Sequence, residues 1–312
     1  MSDARTPTIE TMPATAGPTH PEEAGRAAAV HGPLSPRGAF VRLMGRRGAL
    51  IVGAVSLAVI LLASIFANWI TPYDPITQNL RNTLRPPSWA HPFGTDNFGR
   101  DVFSRVLHAA KLDVRIGFFC VLFPWILGSV LGAIAGYVGG IVDTIVMRTV
   151  DTFTAFPFLI MAIGVIAVLG PGITSMYIAL TLSGWSIYAR IVRAEVLVAR
   201  KSEYVLAARA LGYNDVRILL RHILPNVITP TVIFAMTSIV LVILSTVTLS
   251  FLGLGVPPPT PTWGTMIAEG KSFIFTAWWM VTLPGLAIVV VGLALSLLGD
   301  GIADVLRGEG SR

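Results

Sequence analysis

The chain has 312 residues, of which 54% are hydrophobic and only 13% are charged. Soluble globular domains carry about 25% charged residues, so this composition excludes an ordinary soluble domain and is typical of a membrane protein. The formal net charge is +6, but the Lys and Arg residues lie mostly between apolar runs. That placement favours membrane topology over nucleic-acid binding as the cause of the basicity. The single cysteine, Cys120, is predicted to be a buried small apolar side chain with no disulfide.

The first segment of the chain, residues 1–40, is rich in Pro, Ala, Thr and Gly. Such a composition buries too little apolar surface to offset the entropy of ordering, so we predict a disordered cytoplasmic tail. No apolar core follows a basic start within the first thirty residues, which argues against a secretory signal. Residues 38–48 contain three arginines and are predicted to form a basic collar before the first membrane span.

Six stretches of the chain are long and apolar enough to predict an all-α membrane protein with six spans, since a span needs about 20 apolar residues. They are residues 48–70, 115–137, 145–169, 173–192, 227–251 and 278–299. The third span is expected to kink at Pro157. Gly170, Pro171 and Gly172 predict a tight turn before the fourth span.

The distribution of Lys and Arg predicts the orientation of these spans. The basic collar places the N-terminus in the cytoplasm, and six crossings return the C-terminus there. Residues 193–226 are then cytoplasmic and rich in Lys and Arg, whereas the outer loop 252–277 contains only Lys271. The outer loop 71–114 runs against the rule, because it holds five basic residues beside four aspartates.

One compact polar segment lies between the fourth and fifth predicted spans, and residues 203–226 read EYVLAARALGYNDVRILLRHILPN. The helical spacing of Val205, Ala208 and Leu211 predicts a first short helix with one apolar face. Gly212 is expected to end that helix in the left-handed conformation, because glycine adopts it without strain.

A second short helix is predicted to lead from this turn back into the membrane. Asp215 is well placed to cap its first turn, and Pro225 marks the entry to the fifth span. Its apolar stripe is expected to comprise Val216, Leu219, Leu220 and Ile223. Taken alone, the pattern also fits a basic amphipathic loop that lies on the bilayer surface.

The spacing within this segment resembles the EAA loop of ABC importer permeases. The matching pattern is Ala207-Ala208-x3-Gly212 and, ten residues later, Ile223-Leu224-Pro225. Leu206 stands where the motif has Glu, and His222 stands where Ile is usual. Both departures are similar to the version of the loop in the peptide and nickel importer subfamily.

The resemblance implies a docking role, because in that family the loop forms the coupling helix that sits in a groove of the ATPase subunit. We therefore expect a coupling loop over residues 199–226. On this basis the residues with ATPase-coupling roles are Glu203, Ala207, Ala208, Gly212, Asp215, His222 and Pro225.

Four further blocks resemble the C-type permease of dipeptide and oligopeptide importers, in the same order along the chain. They are HPFGTDNFGRDVFSRVLHAAK from His91, AGYVGGIVDTIVMRTVDTFTAFP from Ala135, LSFLGLGVPPPTPTWGTMI from Leu249 and LLGDGIADVLRG from Leu297. The resemblance implies a transmembrane permease domain over residues 41–307, followed by a short cytoplasmic tail at 308–312.

The same resemblance implies one half of a pore in the bacterial inner membrane that imports di- or oligopeptides by alternating access. Its expected partners are membrane lipid, a homologous second permease, two cytoplasmic ATPase domains and an extracytoplasmic substrate-binding protein. The chain contains no phosphate-binding G-x4-G-K-[ST] motif, so ATP and Mg²⁺ are expected in partner subunits and no cofactor in this one. The alternatives are a nickel or glutathione importer of the same family and, from a different class, a stand-alone secondary transporter.

Three other groups of residues invite a functional interpretation. His91, Asp96 and Asp101 suggest a metal site, but their spacing and the glycines among them favour a turn with Asp101 as the cap of the next helix. The helix that follows is predicted to face Val102, Val106 and Ala109 inward and Arg105 and His108 outward.

The remaining groups lie on predicted spans. Asp143, Arg148 and Asp151 cluster at the inner end of the third span and are expected to have a structural or gating role. Trp185 and Tyr188 lie one helical turn apart on the fourth span. They are predicted either to face the translocation path or to pack against a partner permease.

Overall fold

The computed structural model describes residues 36–309 of the chain. Most of the predicted N-terminal tail, and the last residues of the predicted C-terminal tail, lie outside the described residues. The chain divides into two compact units, residues 1–44 and 45–312. In the first unit only the start of one helix, from Pro36, is described, and the architecture below is that of the second.

The described part of the chain is almost entirely helical, with one isolated β-bridge between Thr95 and Asp101. The α-helices are α1 Pro36–Ile65, α2 Ala67–Ile70, α3 Val102–Val138, α4 Gly140–Thr154, α5 Phe158–Leu169, α6 Ile173–Ala199, α7 Glu203–Ala210, α8 Asp215–Arg217, α9 Leu224–Phe251, α10 Trp263–Gly270 and α11 Trp279–Glu309. A π-helix, Ile218–Ile223, joins α8 to α9, and short 3₁₀ turns cover Leu80–Asn82 and Lys271–Phe273.

The prediction of an all-α membrane protein is confirmed, but the count of six spans is not. Within residues 36–309, three helical segments can cross a membrane by length and composition: Val102–Val138, Asp215–Phe251 and Trp279–Ala303. The pair α4 and α5 adds a fourth if it is counted as one span. The apolar part of α1, Leu50–Ile65, is shorter than the roughly 20 residues that a span needs.

The third predicted span is broken and not merely kinked. α4 ends at Thr154, α5 begins at Phe158, and the two helices meet at 90°. Pro157 immediately precedes α5, where its missing N–H and fixed φ are compatible with a helix start, whereas in a helix interior they remove a hydrogen bond. The bend therefore follows from the proline, and the sequence pattern underestimated its size.

A stripe of glycines holds α3, the longest helix, against α6. A Cβ atom added at Gly128 would lie 2.2 Å from the carbonyl oxygen of Trp185, and one added at Gly132 would lie 2.3 Å from that of Ala189. One turn further on, Gly136 faces Arg193 in the same way. Small residues at four-residue spacing let two helix backbones approach closely, so this stripe sets the distance between α3 and α6.

Two apolar cores lie on different sides of α3. The larger core joins the start of α3 to α9, α10 and α11, with Trp263 fully buried among them. The second core joins α3 to α5 and α6, and it contains Cys120, which is 1% exposed. The prediction of a buried cysteine is thus confirmed, and α3 is the element that the two cores share.

The glycine stripe generates the first prediction. Gly132→Ala should lower the free energy of unfolding by about 1–3 kcal/mol, because the added methyl group overlaps a backbone oxygen. Gly164→Ala is the matched control, since an added Cβ there meets nothing within 4 Å. In a helix interior that control should be neutral or stabilising by up to about 1 kcal/mol.

Thermal unfolding of both purified variants in detergent measures the difference. A Gly132→Ala protein as stable as the Gly164→Ala protein would contradict the close approach of α3 and α6.

Candidate functional site

The first short helix of the polar segment forms as predicted, over α7. Val205 and Ala208 are buried and pack in one cluster with Val192 and Val196 of α6. The prediction that Leu211 shares this buried face is wrong, because Leu211 is 73% exposed. The helix has already ended there, so Leu211 no longer follows its apolar stripe.

Gly212 ends this helix in the left-handed conformation, with φ +78°, and the prediction is confirmed. The Tyr213 N–H donates to the Ala208 carbonyl at 3.2 Å, and the Gly212 N–H donates to the Arg209 carbonyl at 2.9 Å. This pair of bonds defines a Schellman motif, which satisfies the last carbonyl groups of the helix. A Cβ added at Gly212 meets nothing within 4 Å, so a larger residue would cost backbone strain alone.

The second short helix is capped by Asn214 and not, as predicted, by Asp215. The Asn214 side chain accepts a hydrogen bond from the Arg217 N–H at 2.8 Å. Asp215 is the first residue of α8, and its carboxylate instead accepts a hydrogen bond from the Tyr137 hydroxyl at 2.5 Å. The side chain that looked like a cap is therefore a contact to the end of α3.

The apolar stripe of this second arm also differs from the prediction. Ile218 and Ile223 are both fully buried, whereas Val216 and Leu220 are exposed. The reason is the π-helix Ile218–Ile223, whose i→i+5 hydrogen bonds bring residues five apart onto one face. Of the four residues predicted to form the apolar stripe, only Ile223, which is buried, and Leu219, which is half-buried, are withdrawn from solvent.

Five large side chains of the polar segment are left exposed, and we call them the coupling patch. They are Tyr204, Leu206, Leu211, Val216 and Leu220, each between 42% and 73% exposed. Exposed charged residues adjoin them in the sequence, among them Glu203, Arg209, Arg217 and Arg221. An exposed apolar patch with a polar rim is characteristic of a surface that binds another protein.

The residues predicted to couple to an ATPase all lie in this segment, in different environments. Glu203, Ala207, Gly212, Asp215 and Pro225 are exposed, whereas Ala208 is buried and His222 is half-buried.

His222 stacks on Tyr213, with ring centroids 5.7 Å apart and ring planes at 16°. On the other face of the same segment, the hydrogen bond to the Tyr137 hydroxyl raises the pKa of the Arg209 guanidinium above its usual value.

Trp185 and Tyr188 are both buried, but in different surroundings. Trp185 packs edge-on against Phe153 of α4, with ring centroids 5.4 Å apart. Tyr188 lines a cavity of about 190 Å³ between α3, α5, α6 and α9, which also contains Ser238 and Ser245. The structure thus brings Tyr188, and not Trp185, to an internal space, and the translocation role of either residue stays a prediction.

The charges predicted to cluster on the third span pair with α6. Asp143 forms two hydrogen bonds with Arg193, one of them from Nη2 at 2.6 Å, and Asp151 pairs with Arg190 at 3.2 Å. Opposite charges on neighbouring helices hold α4 beside α6. This arrangement fits the structural role among the alternatives that the sequence left open.

A second group of charges, which we call the loop cluster, comprises Asp96, Arg100, Arg105 and Glu269. Arg100 binds Asp96 at 2.6 Å and Glu269 at 2.7 Å, and Arg105 contacts Asp96 and binds Glu269 at 2.9 Å. The prediction that Arg105 points outward is wrong, because the side chain is 2% exposed. The carboxylates of Asp96 and Glu269 together neutralise Arg100 and Arg105, which makes the burial of Arg105 possible.

The start of α3 beside the loop cluster otherwise follows the prediction. Asp101 caps the helix and accepts a hydrogen bond from the Ser104 N–H at 2.8 Å. Val102, Val106 and Ala109 are buried, as expected.

His91 bonds to Asp101 at 2.9 Å, whereas Asp96 binds the two arginines of the loop cluster. His91, Asp96 and Asp101 therefore do not converge. Within residues 36–309 no group of three or more His, Cys, Asp or Glu side chains is placed to hold a metal.

Two residues of these sites were not singled out by the sequence analysis. Tyr137 lies 78 residues from its partner Asp215, and Glu269 lies 164 residues from Arg105. Local patterns carry no signal for contacts at such separations.

The loop cluster generates the second prediction. Asp96→Asn should lower the free energy of unfolding by about 3–5 kcal/mol, because it leaves two buried guanidinium groups with one carboxylate. Asp74→Asn is the matched control in the same loop. The Ile76 and Thr77 N–H groups donate to the exposed Asp74 and hold the pKa of its carboxyl below the usual value, and an amide oxygen can accept the same bonds.

Chemical unfolding of both variants in detergent tests this comparison. Equal losses of stability in the two proteins would show that the loop cluster contributes no more than a surface turn.

The sequence of the chain matches the models of two protein families. The model of the family "binding-protein-dependent transport system inner membrane component" matches residues 128–308. The N-terminal transmembrane domain of oligopeptide transport permease C matches residues 37–87.

Several relatives match most of the chain. A putative peptide transport system permease protein of Brucella suis is 43% identical over 87% of this chain and 92% of its own length. The dipeptide transport system permease protein DppC of Escherichia coli is 42% identical over 88% and 93%, respectively. The di/tripeptide transport system permease protein DppC of Pseudomonas aeruginosa is 38% identical over 87% and 92%.

A solved structure supports the fold alone. An inward-facing conformation of the MetNI methionine ABC transporter matches with a TM-score of 0.53 and 17% identity, over 65% of this chain and 96% of that one. The family model covers more than half of the chain, and the relatives cover nearly nine-tenths of it. The chain therefore belongs to the family of binding-protein-dependent transport system inner membrane components, the transmembrane permeases of ABC importers.

Proposed function

We propose that this permease moves di- or oligopeptides into the cytoplasm by alternating access, driven by ATP hydrolysis in separate subunits. The names of three relatives support peptides as the substrate class, because each refers to peptide, dipeptide or di/tripeptide transport. Identifying the binding protein that co-purifies with the complex, and measuring whether it binds peptide, nickel or glutathione, tests the substrate directly.

The coupling patch carries the proposal that this chain docks an ATPase. Its five exposed large side chains lie in the segment whose Ala207-Ala208-x3-Gly212 pattern resembles a coupling loop. Burying them in a groove of a partner removes apolar surface from water, which is worth about 25 cal/mol per Å². ATP and Mg²⁺ are then held by that partner, since the sequence offers no phosphate-binding loop.

The length of α3 supports placing its two ends on opposite sides of the membrane. A 37-residue helix is about 55 Å long, which exceeds the roughly 30 Å of the hydrocarbon core. The loop cluster at its start and Tyr137 at its end then lie on opposite sides of the membrane. We place the polar segment 203–226 in the cytoplasm, where its many basic residues favour it.

Two of the five basic residues in the loop that runs against the positive-inside rule belong to the loop cluster. Arg100 and Arg105 are buried and paired with Asp96 and Glu269, so they add no exposed positive charge to that loop. The charge count from the sequence treated all five basic residues as equal.

Two further partners complete the proposed assembly. The family description, which refers to binding-protein-dependent transport, supports an extracytoplasmic substrate-binding protein on the side of the loop cluster. A homologous second permease is proposed to complete the pore, and membrane lipid surrounds both. The cavity beside Tyr188 is proposed as part of the translocation path, because α3, α5, α6 and α9 all line it.

Gly212 supplies the third prediction. Gly212→Val should abolish peptide uptake and weaken co-purification of the ATPase. Valine at φ +78° is strained by about 1–2 kcal/mol, and relief of that strain changes the turn and hence the direction in which the coupling patch points. The protein should still insert in the membrane with its partner permease. Gly253→Val is the matched control. Gly253 has φ +79° and equally open surroundings, but it lies outside residues 203–226.

The readouts are membrane insertion, ATPase co-purification and uptake for both variants. If Gly212→Val assembles and transports like Gly253→Val, residues 203–226 are a passive loop and the docking role fails.

The fourth prediction concerns orientation. Reporter domains fused after Gly48 and after Asp300 should both be active in the cytoplasm, and a fusion after Pro257 should be active outside. A cytoplasmic signal from the Pro257 fusion would reverse the assignment of the two ends of α3.

A further inference from the structure

One phenol group of α3 contacts both arms of residues 203–226, which we call the coupling segment. Tyr137 is the second-last residue of α3, and its hydroxyl donates to Asp215 at 2.5 Å. The Arg209 guanidinium lies 3.5 Å from the same hydroxyl and 5.8 Å from the ring centroid. Arg209 belongs to the arm before Gly212 and Asp215 to the arm after it, so one side chain contacts both arms of the turn.

Other contacts also join the coupling segment and its approach to α3. Ala133 of α3 lies in one apolar cluster with Val205 and Ile218, and the Arg200 guanidinium donates to the Gly136 carbonyl at 2.9 Å. The Tyr137 hydroxyl differs from these contacts because it lies within hydrogen-bond distance of one residue before Gly212 and one after it. An open cavity of about 440 Å³ beside Tyr137 leaves part of α7 without van der Waals contact to the end of α3.

α3 is suited to carry a movement across the membrane. It runs unbroken from the loop cluster to Tyr137, and the 32 residues between Arg105 and Tyr137 correspond to about 48 Å. Its glycine stripe, residues 128–136, fixes it beside α6 over about 12 Å of that length. The last turn that Tyr137 occupies is thus one end of a helix whose other end lies at the loop cluster.

We propose that the hydrogen bond from Tyr137 to Asp215 is a tether that makes the last turn of α3 follow the coupling segment, and that Tyr137 is a positioning residue of the transport cycle. The inference rests on the proposed function, because it gives the docked ATPase a defined route to the transmembrane helices. Without the tether, the coupling segment keeps its apolar cluster with Ala133 but loses the direct bond between Asp215 and the last turn of α3. ATP is then hydrolysed with less transport.

Tyr137→Phe tests the tether in the assembled transporter, because it keeps the aromatic ring and removes only the hydroxyl group. We expect ATPase co-purification and ATP hydrolysis to stay within about twofold of wild type. The number of peptides imported per ATP should fall about fivefold, because the net free energy of one hydrogen bond changes an equilibrium constant by about that factor. Tyr177→Phe is the matched control, since no hydrogen bond of the Tyr177 hydroxyl is found among the described residues and its import per ATP should be unchanged.

Asp215 completes a double-mutant cycle with Tyr137. Asp215→Ala should lower import per ATP as Tyr137→Phe does, and the double variant should be no worse than either single one. Asp215→Asn retains an acceptor oxygen and should import more per ATP than Asp215→Ala.

A wild-type ratio of import to hydrolysis in Tyr137→Phe, or additive losses in the double variant, would overturn the tether. Either result would leave the proposed function standing, since that is judged on Gly212→Val and on ATPase co-purification.

Discussion

The close backbone contact between α3 and α6 is the constraint on which the other sites depend. Gly128 and Gly132 bring the two helices so near that no side chain fits between them. α6 leads directly into the coupling segment, and α3 ends at Tyr137, so the same contact fixes both supports of that segment. The coupling patch can then be presented at a defined angle, although most of its own side chains touch little of the protein.

Charge burial organises the opposite end of α3. Arg100 and Arg105 are withdrawn from solvent because Asp96 and Glu269 meet them there, and the last of these comes from α10. Removing charges from water is costly unless each is paired, so this cluster joins the loop before α3 to α10 as one unit. The result is a long helix with a buried polar anchor at one end and, at the other, the phenol of Tyr137 beside an apolar cluster that includes Ala133.

The sequence predicted one helix end and one helix cap correctly, because both depend on adjacent residues. Gly212 takes the left-handed conformation and Asp101 caps α3, because each follows from its immediate neighbours. Helical spacing failed at Val216 and Leu220, since a π-helix changes the period on which such reasoning rests.

Contacts between residues that lie far apart in the sequence could not be predicted in this way. Tyr137 meets Asp215, and Glu269 meets Arg105, through the packing of distant elements, and no periodicity reports such pairs. The resemblance to permease motifs identified the family correctly, but the side chains that hold residues 203–226 in place had to come from the structure.

Cross-linking from the coupling patch tests the docking of an ATPase most directly. Cys120 is the chain's single cysteine and is buried, so Leu211→Cys in a Cys120→Ala background carries one reactive thiol. A photoreactive maleimide there should cross-link to the ATPase subunit, whereas the same label at Val59→Cys, on the exposed face of α1, should not. Equal cross-linking from both positions, or none from Leu211→Cys in an assembled transporter, would contradict the account.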